Sequence, residues 1–222
     1  FNSRTGVNDT NVFSVGEDIT KSVDPGNGSI QKLYAEDTNL IIFQENKVNR
    51  ALIDKDAIYS AEGNATLTSG PNVIGQVQAY AGNFGISKNP ESFAVYGYRK
   101  YFTDKERNAV LRLSSDGITE ISTYGMYDFF RDNLSNLNST QSDGKAIGMW
   151  DIYNKQYVLS LQPNLQRNPV PNPTYETLSF NEEVKGWESF YTYKPTLGTS
   201  LKNNFYTFDE GALYVHYSPD VN

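Results

Sequence analysis

The sequence predicts an all-β protein of hairpin-repeat architecture, a β-propeller or part of one, with long loops and one short helix. Three observations predict it. Four stretches read strand, tight polar turn, strand: KYFTDKERNAVLRLSSDGITEIS from Lys100, MWDIYNKQYVLSLQ from Met149, SFNEEVKGWESFYTY from Ser179 and FYTFDEGALYVHY from Phe205. Such repetition marks radial or layered β architecture. Aromatic residues make up 14% of the chain and crowd onto those strands, where rings bury much area and tyrosine keeps a polar tip. Only one segment carries helical spacing.

Taken in order, residues 1–28 are polar and Gly/Asn-rich and read as an arm or linker, with residues 29–222 as the propeller-like domain. From Ser29, SIQKLYAEDTNLIIFQENKVNRALID reads as two or three strands, with turns at residues 36–39 and 44–46. Leu40 to Phe43 is an unbroken apolar run, expected to be a buried strand. Residues 60–92 hold Gly63, Gly70-Pro71, Gly75, Gly82, Gly85 and Asn89-Pro90, a density of breakers that predicts a long loop region. Phe93 to Tyr101 alternates, and the first long hairpin follows. Asp128 is placed to cap a helix over Phe129 to Leu137, in which Phe130, Leu134 and Leu137 share a face. That helix is expected to lie over a sheet edge. Residues 163–173 carry Pro163, Pro169, Pro171 and Pro173. Proline removes ladder donors, so this stretch is an extended surface excursion and a candidate subunit contact. A blade takes four strands and roughly 40–50 residues, so the chain supplies about four or five. It opens on Phe1 and is expected to be a piece of a longer polypeptide.

Composition removes several classes of function. A chain of 222 residues is ample for a core. It has no cysteine, so a disulfide framework and a thiolate zinc site are excluded. A net charge of -7 argues against a nucleic-acid-binding surface, which needs a positive stripe. An acidic wall would instead repel phosphate and let a duplex pass. No apolar run is long enough for a membrane-spanning helix, so no membrane insertion is expected.

The residues that could carry chemistry read more simply as structure. His216 is the only histidine, so a two-histidine metal site is impossible and a Ser–His–Asp triad would have to run through it. It lies in LYVHYS and is expected to be a partly exposed strand side chain. Glu182-Glu183 are adjacent, which on a strand sends them to opposite faces and in a turn leaves both solvated. Asp116 before Gly117, and Asp209-Glu210-Gly211, are what tight turns want. Asp54, Asp56 and Glu62 lack the glycine of a calcium loop. Alternation places Trp187, Ser189, Tyr191 and Tyr193 on one face and Glu188, Phe190, Thr192 and Lys194 on the other. Trp150, Trp187, Tyr191 and Tyr193 are expected to be packing anchors rather than a sugar platform. No catalytic residue, metal ligand or cofactor is expected.

Several segments resemble the tail nozzle proteins of podovirus-like and crAss-like bacteriophages, called muzzle proteins in the latter group and also packaged-DNA stabilization proteins. They are DTNLIIFQENKVNRALID (Asp37–Asp54), AYAGNFGISKNPESFAVYGYRKYFTDKERNAVLRLSSDGITEIS (Ala79–Ser122) and SFNEEVKGWESFYTYKP (Ser179–Pro195), with FYTFDEGALYVH (Phe205–His216) continuing the pattern. GISKNPESFAVYGYRKYFTD and FNEEVKGWESF are the most specific. The resemblance implies a β-propeller-bearing subunit of a homo-oligomeric ring, typically a hexamer, in the virion tail. Such a ring contacts other tail proteins, is assembled in the host cytoplasm, and keeps packaged DNA inside until ejection without binding it specifically. No catalytic residues are carried over. The recurring residues are structural: Gly82, Gly85 and Pro90 shape the long loop, while Asp104, Asp116 and Gly117 shape turns. A carbohydrate- or receptor-binding propeller and, after it, a propeller glycosidase or lyase are the rival readings.

Overall fold

The computed structural model describes residues 20–59, 65–137, 144–163 and 175–218. The chain is mostly β, and its described residues form four small antiparallel sheets with one α-helix. Strands β1 (Ile30–Glu36), β2 (Asn39–Gln44), β3 (Val48–Tyr59) and β4 (Ala65–Ala79) make the first sheet. Strands β5 (Ala94–Tyr96), β6 (Arg99–Asp104), β7 (Ala109–Ser114) and β8 (Gly117–Glu120) make the second. The third contains β9 (Lys145–Asp151), β10 (Gln156–Gln162), β11 (Glu176–Asn181) and β12 (Gly186–Tyr191), and the fourth β13 (Leu197–Leu201), β14 (Asn204–Asp209) and β15 (Ala212–Val215). Every sheet is a meander of consecutive strands, so each forms from local pairings alone.

The four sheets stack in chain order. Because side chains alternate along a strand, each middle sheet feeds two cores. Phe102, Leu111 and Leu113 of the second sheet meet Ile41, Phe43 and Val48 of the first. Tyr101 and Val110 point the other way and join Trp150, Tyr157, Leu159, Leu178 and Phe180 of the third. The third sheet's opposite face offers Ile147, Met149 and Val158 to Phe205 of the fourth. Burial on both faces makes β6 and β10 almost continuously buried, whereas β13 alternates between exposed and half-buried positions.

Helix α1 (Tyr127–Leu137) buries Phe130, Leu134 and Leu137, the residues that the periodicity selects. It starts one residue before Asp128, whose carboxylate sits in the first turn and accepts from Arg131. Rather than lying over a sheet edge, the helix packs on β7 and β10 and plugs the seam between the second and third sheets.

One turn design recurs. The connections β6–β7, β9–β10 and β11–β12 each span four residues and close on a left-handed residue: Asn108, Lys155 and Lys185. Each opens on an acid or amide, Asp104, Asp151 or Asn181, that accepts a backbone N–H from within the turn. Side-chain acceptance of this kind fixes the first half of a turn.

Two further expectations about the strands need correction. Residues 65–79 form strand β4 rather than loop, despite Gly70-Pro71. β4 is an edge strand, and the pairing with β3 jumps from Ile53↔Ile74 to Lys55↔Ser69. The Gly-Pro pair therefore falls in a bulge of the edge strand, where a missing ladder donor costs little. The second concerns β12. Its register shifts between Ser179 and Phe180, because Phe180 pairs with Trp187 while Ser179 pairs with Ser189. Glu188 is the extra residue, and the bulge splits the predicted aromatic face. Trp187 joins the core toward the second sheet, and Tyr193 joins the core toward the fourth.

Candidate functional site

Three places concentrate polar and aromatic side chains, all at seams between sheets. The first is the loop over residues 80–93. Gly82 turns it at φ +91°. At Gly85 the loop presses on the turn after β2, where a Cβ would overlap the Glu45 carbonyl and lie 2.6 Å from Asn46 N. Gly85 is thus required by close approach, not by φ. Ile86 and Ser87 donate their N–H groups to the carbonyls of Gln44 and Glu45, both at 3.0 Å. On its other side Gly85 N and Ser87 Oγ donate to the fully buried Asp104 carboxylate at 3.0 and 2.7 Å, and Arg107 donates from both its N–H and its guanidinium. Asn89 reaches the third sheet: its Nδ2 donates to Ala146 O at 2.6 Å and its Oδ1 accepts from Ala146 N at 3.1 Å. That amide completes the free edge of β9 as a neighbouring strand would. Pro90 opens a 3-10 helix, Pro90–Ser92, and Ser92 O accepts from Tyr157 Oη at 2.9 Å. One loop ties three sheets together.

The second place is the seam between the second and third sheets. Tyr96, Trp150, Tyr101 and Tyr157 stack in series, with centroid separations of 4.3, 5.6 and 4.8 Å. Trp150 is only 8% exposed. Glu182 corrects the expectation of a solvated turn carboxylate. It accepts from Tyr101 Oη at 2.8 Å and from Arg112 at 2.9 Å, bridging the two sheets. Burial, then the Glu182 charge, hold the Tyr101 hydroxyl well above the usual phenol range. Both carboxylates lie in the β11–β12 turn, and Glu183 is the exposed one. Asp116 and Gly117 lie at the β7–β8 turn. Asp116 accepts from Ser114 and Arg112, and Gly117 has φ +99°.

Trp187 is half-buried. Its Nε1 donates to Ile121 O at 3.0 Å, and its ring lies 4.6 Å from Phe130 and 5.3 Å from Phe180. Trp187→Ala should cost about 2–3 kcal/mol, below the roughly 3–5 of a fully buried tryptophan because one side already meets water. Thermal melts read the loss directly. An unchanged midpoint would remove Trp187 from the packing.

The third place is the seam between the third and fourth sheets. Asp151 is fully buried and accepts from Tyr153 N at 2.9 Å, Asn154 N at 3.2 Å and Tyr217 Oη at 2.8 Å. His216 follows β15, sits 4.7 Å from the Tyr193 ring and 4.9 Å from Phe205, and its Nε2 is 2.7 Å from Thr207 Oγ1. The Tyr191 ring lies 5.1 Å from that of Tyr193. Burial lowers the His216 pKa, with Asp151 opposing. A lowered folded-state value means that the unfolded chain takes up the proton first. The His216 contribution is therefore intact above the ordinary histidine range and falls as pH drops through it. His216→Gln should flatten the acid limb of a melting-temperature profile relative to wild type. Parallel profiles would overturn this account.

Three clefts lined by described residues at these seams are small. One of about 230 Å³ opens where β5, β9 and β13 converge, lined by Ala94, Gly148, Trp150, Gly198 and Ser200 among others. Another of about 230 Å³ lies beside Tyr193, Thr207 and His216, and a third of about 160 Å³ beside Glu36, Arg50, Tyr80 and Lys100. Ordinary ligand pockets run to ~300–1,000 Å³. Among the described residues no three His, Asp or Glu side chains gather as metal ligands would. Of the proline excursion only Pro163 is described, half-buried after β10; Pro169, Pro171 and Pro173 lie outside the described residues, as do residues 1–19 and the side chains of Asp54, Asp56 and Glu62. The sequence named Asn89 as a breaker and Glu182 as a turn carboxylate but held no sign of their cross-sheet partners, and it did not single out Asp151. Asp151 and Asn181 did carry a signal, the acid or amide one residue before a four-residue turn.

No protein-family model matches the chain, and no curated protein matches it either.

Proposed function

We propose that the protein is a structural subunit of a short-tailed phage virion, a tail nozzle or muzzle protein. Its sheets are blades of a β-propeller in a homo-oligomeric ring, a hexamer by resemblance, that closes the channel and retains packaged DNA. The observation that carries the reading is the run of four consecutive meanders stacked face to face in chain order, the arrangement that successive propeller blades adopt. The segments that resemble the family lie on these sheets and on the loop that straps them. The buried carboxylates support the reading too: Asp104, Asp151 and Glu182 are each engaged by turn amides or cross-sheet donors. Trp150 stacks and Trp187 packs at a tilt against rings within the seam, which favours a framework over a sugar platform. A net charge of -7 suits a wall past which a duplex moves without being held. No described helix is long and apolar enough to cross a membrane.

The test is genetic and physical. In a phage encoding this protein, an amber mutation in its gene should yield particles that package DNA and then lose it, with restoration by the wild-type protein in trans. Mutant particles that keep their DNA and infect normally would overturn the proposal.

A further inference from the structure

We infer that the cleft between the first and second sheets binds a small oxyanion, of the phosphate or carboxylate class, on the Arg50 guanidinium. The register places the residues. Arg50 stands opposite Ile41 on one side and Gln78 on the other. Residues directly opposite on antiparallel strands share a face, and Ile41 belongs to the core between the two sheets. Arg50 therefore projects from the face that meets the second sheet. Lys100 stands opposite Leu113, another member of that core, and rises toward the same seam from the other side. Both cations line the cleft of about 160 Å³, together with Glu36, Asn39, Tyr80 and Ser114.

Charge decides what the cleft takes. Lys100 is 3% exposed, and a buried ammonium is costly unless it is paired. Its Nζ donates to the Glu36 carboxylate and to Tyr98 O, the latter at 3.0 Å. Glu36 is thereby committed to Lys100. Asp116, in the turn that follows Ser114, is engaged by Arg112 and by the Ser114 hydroxyl. Arg50 is left over. It donates to the neutral amide oxygen of Gln78 at 2.9 Å, and among the described residues it makes no ion pair. Two cations and one carboxylate leave the cleft with one positive charge in excess, in a chain of net charge -7.

The donors suit an oxyanion. A guanidinium presents its N–H groups in a planar fork that matches carboxylate and phosphate oxygens, and Gln78 occupies only part of it. The side chains of Asn39 and Tyr80 add an amide and a hydroxyl, neither hydrogen-bonded to another described residue. Burial raises the Tyr80 pKa, with Arg50 opposing and Glu36 adding, so the hydroxyl keeps its proton and can donate it. Size sets the limit: 160 Å³ is about five water molecules' share of the liquid. That holds a phosphate or an acetate with part of its hydration, and excludes a nucleotide or a stretch of duplex. The inference stands apart from the ring-subunit reading, since one chain supplies every residue it uses.

Backbone amide NMR of the whole chain, titrated separately with inorganic phosphate and with acetate, tests it. Sodium chloride at matched ionic strength is the blank. Wild type should show saturable shifts centred on β3 and β6 with at least one of the two ions. Arg50→Gln keeps a hydrogen-bonding side chain but loses the charge, and should weaken binding by about ten- to a hundredfold. Arg50→Lys keeps the charge without the fork and should fall between. Tyr80→Phe removes one hydroxyl and carries the comparison if Arg50→Gln does not fold, with an expected loss of about two- to tenfold. No saturable shift with either ion in wild type would overturn the inference. So would shifts that chloride reproduces, or binding that neither Arg50→Gln nor Tyr80→Phe weakens.

Discussion

Gly85→Ala is expected to lower stability by about 3–5 kcal/mol, several times what an added methyl costs at an accommodating site. Its Cβ would meet backbone, the Glu45 carbonyl and Asn46 N, not the end of a flexible side chain. Neither partner can yield alone, because Ile86 N and Ser87 N are bonded to the carbonyls of Gln44 and Glu45 beside it. The loop must lift, and lifting it draws the fully buried Ile86 from the core between the first two sheets. Losing that burial alone is worth about 1.5–3 kcal/mol. Gly117→Ala is the control. It has φ +99° but open space around it, so only backbone strain of about 1–2 kcal/mol applies. Urea melts of the two variants should separate them clearly, and a Gly85→Ala protein no less stable than Gly117→Ala would show that the loop is not clamped there.

Asp104→Ala is expected to cost ~2–4 kcal/mol, somewhat below the roughly 3–5 for breaking a fully buried ion pair, because the Arg107 side chain is a third exposed and can turn to water. The carboxylate is fully buried, and four donors converge on it: Gly85 N, Ser87 Oγ, Arg107 N and the Arg107 guanidinium. Alanine leaves them without an acceptor in a site that water reaches poorly. Asp104→Asn retains one acceptor oxygen and should recover part of the loss. Proteolysis in the loop over residues 80–93 should rise in the alanine variant, because two of its hydrogen bonds to β6 are gone and only that from Thr103 N to Ser92 Oγ remains. If Asp104→Ala melts with wild type, the four hydrogen bonds contribute nothing net.

The hairpins were legible because their signals are local. Alternation over five or six residues and an acid before a turn suffice, and β6–β7, β9–β10, β11–β12 and β14–β15 lie where those signals fall. Asp116 and Gly117 were legible for the same reason. The exceptions depend on partners far along the chain. Gly70-Pro71 reads as a break until β3 is seen to carry the strand on either side of the bulge. One inserted residue, Glu188, reverses the facing of everything after it, and Gln156 and Asn181, which donate to its carboxylate, lie on other strands. Period-two reasoning across Trp187 and Tyr191 had no means of detecting it. Asn89 looked like a turn residue before proline, and its second role as an edge partner for Ala146 needs a strand 57 residues away.

Stacking in chain order has a kinetic consequence. Every strand pairs with its sequence neighbour, and each core cluster joins consecutive sheets, so few contacts demand closure of a very long loop. A sheet can form as soon as it leaves the ribosome, and the next can condense on it while synthesis continues. Energetically such a chain approaches a one-dimensional array, its stability a sum of units and nearest-neighbour terms. Amide exchange should therefore be slowest in β6, β7, β10 and β11, which have neighbours on both sides, and quicken toward the first and fourth sheets, where opening breaks one interface instead of two.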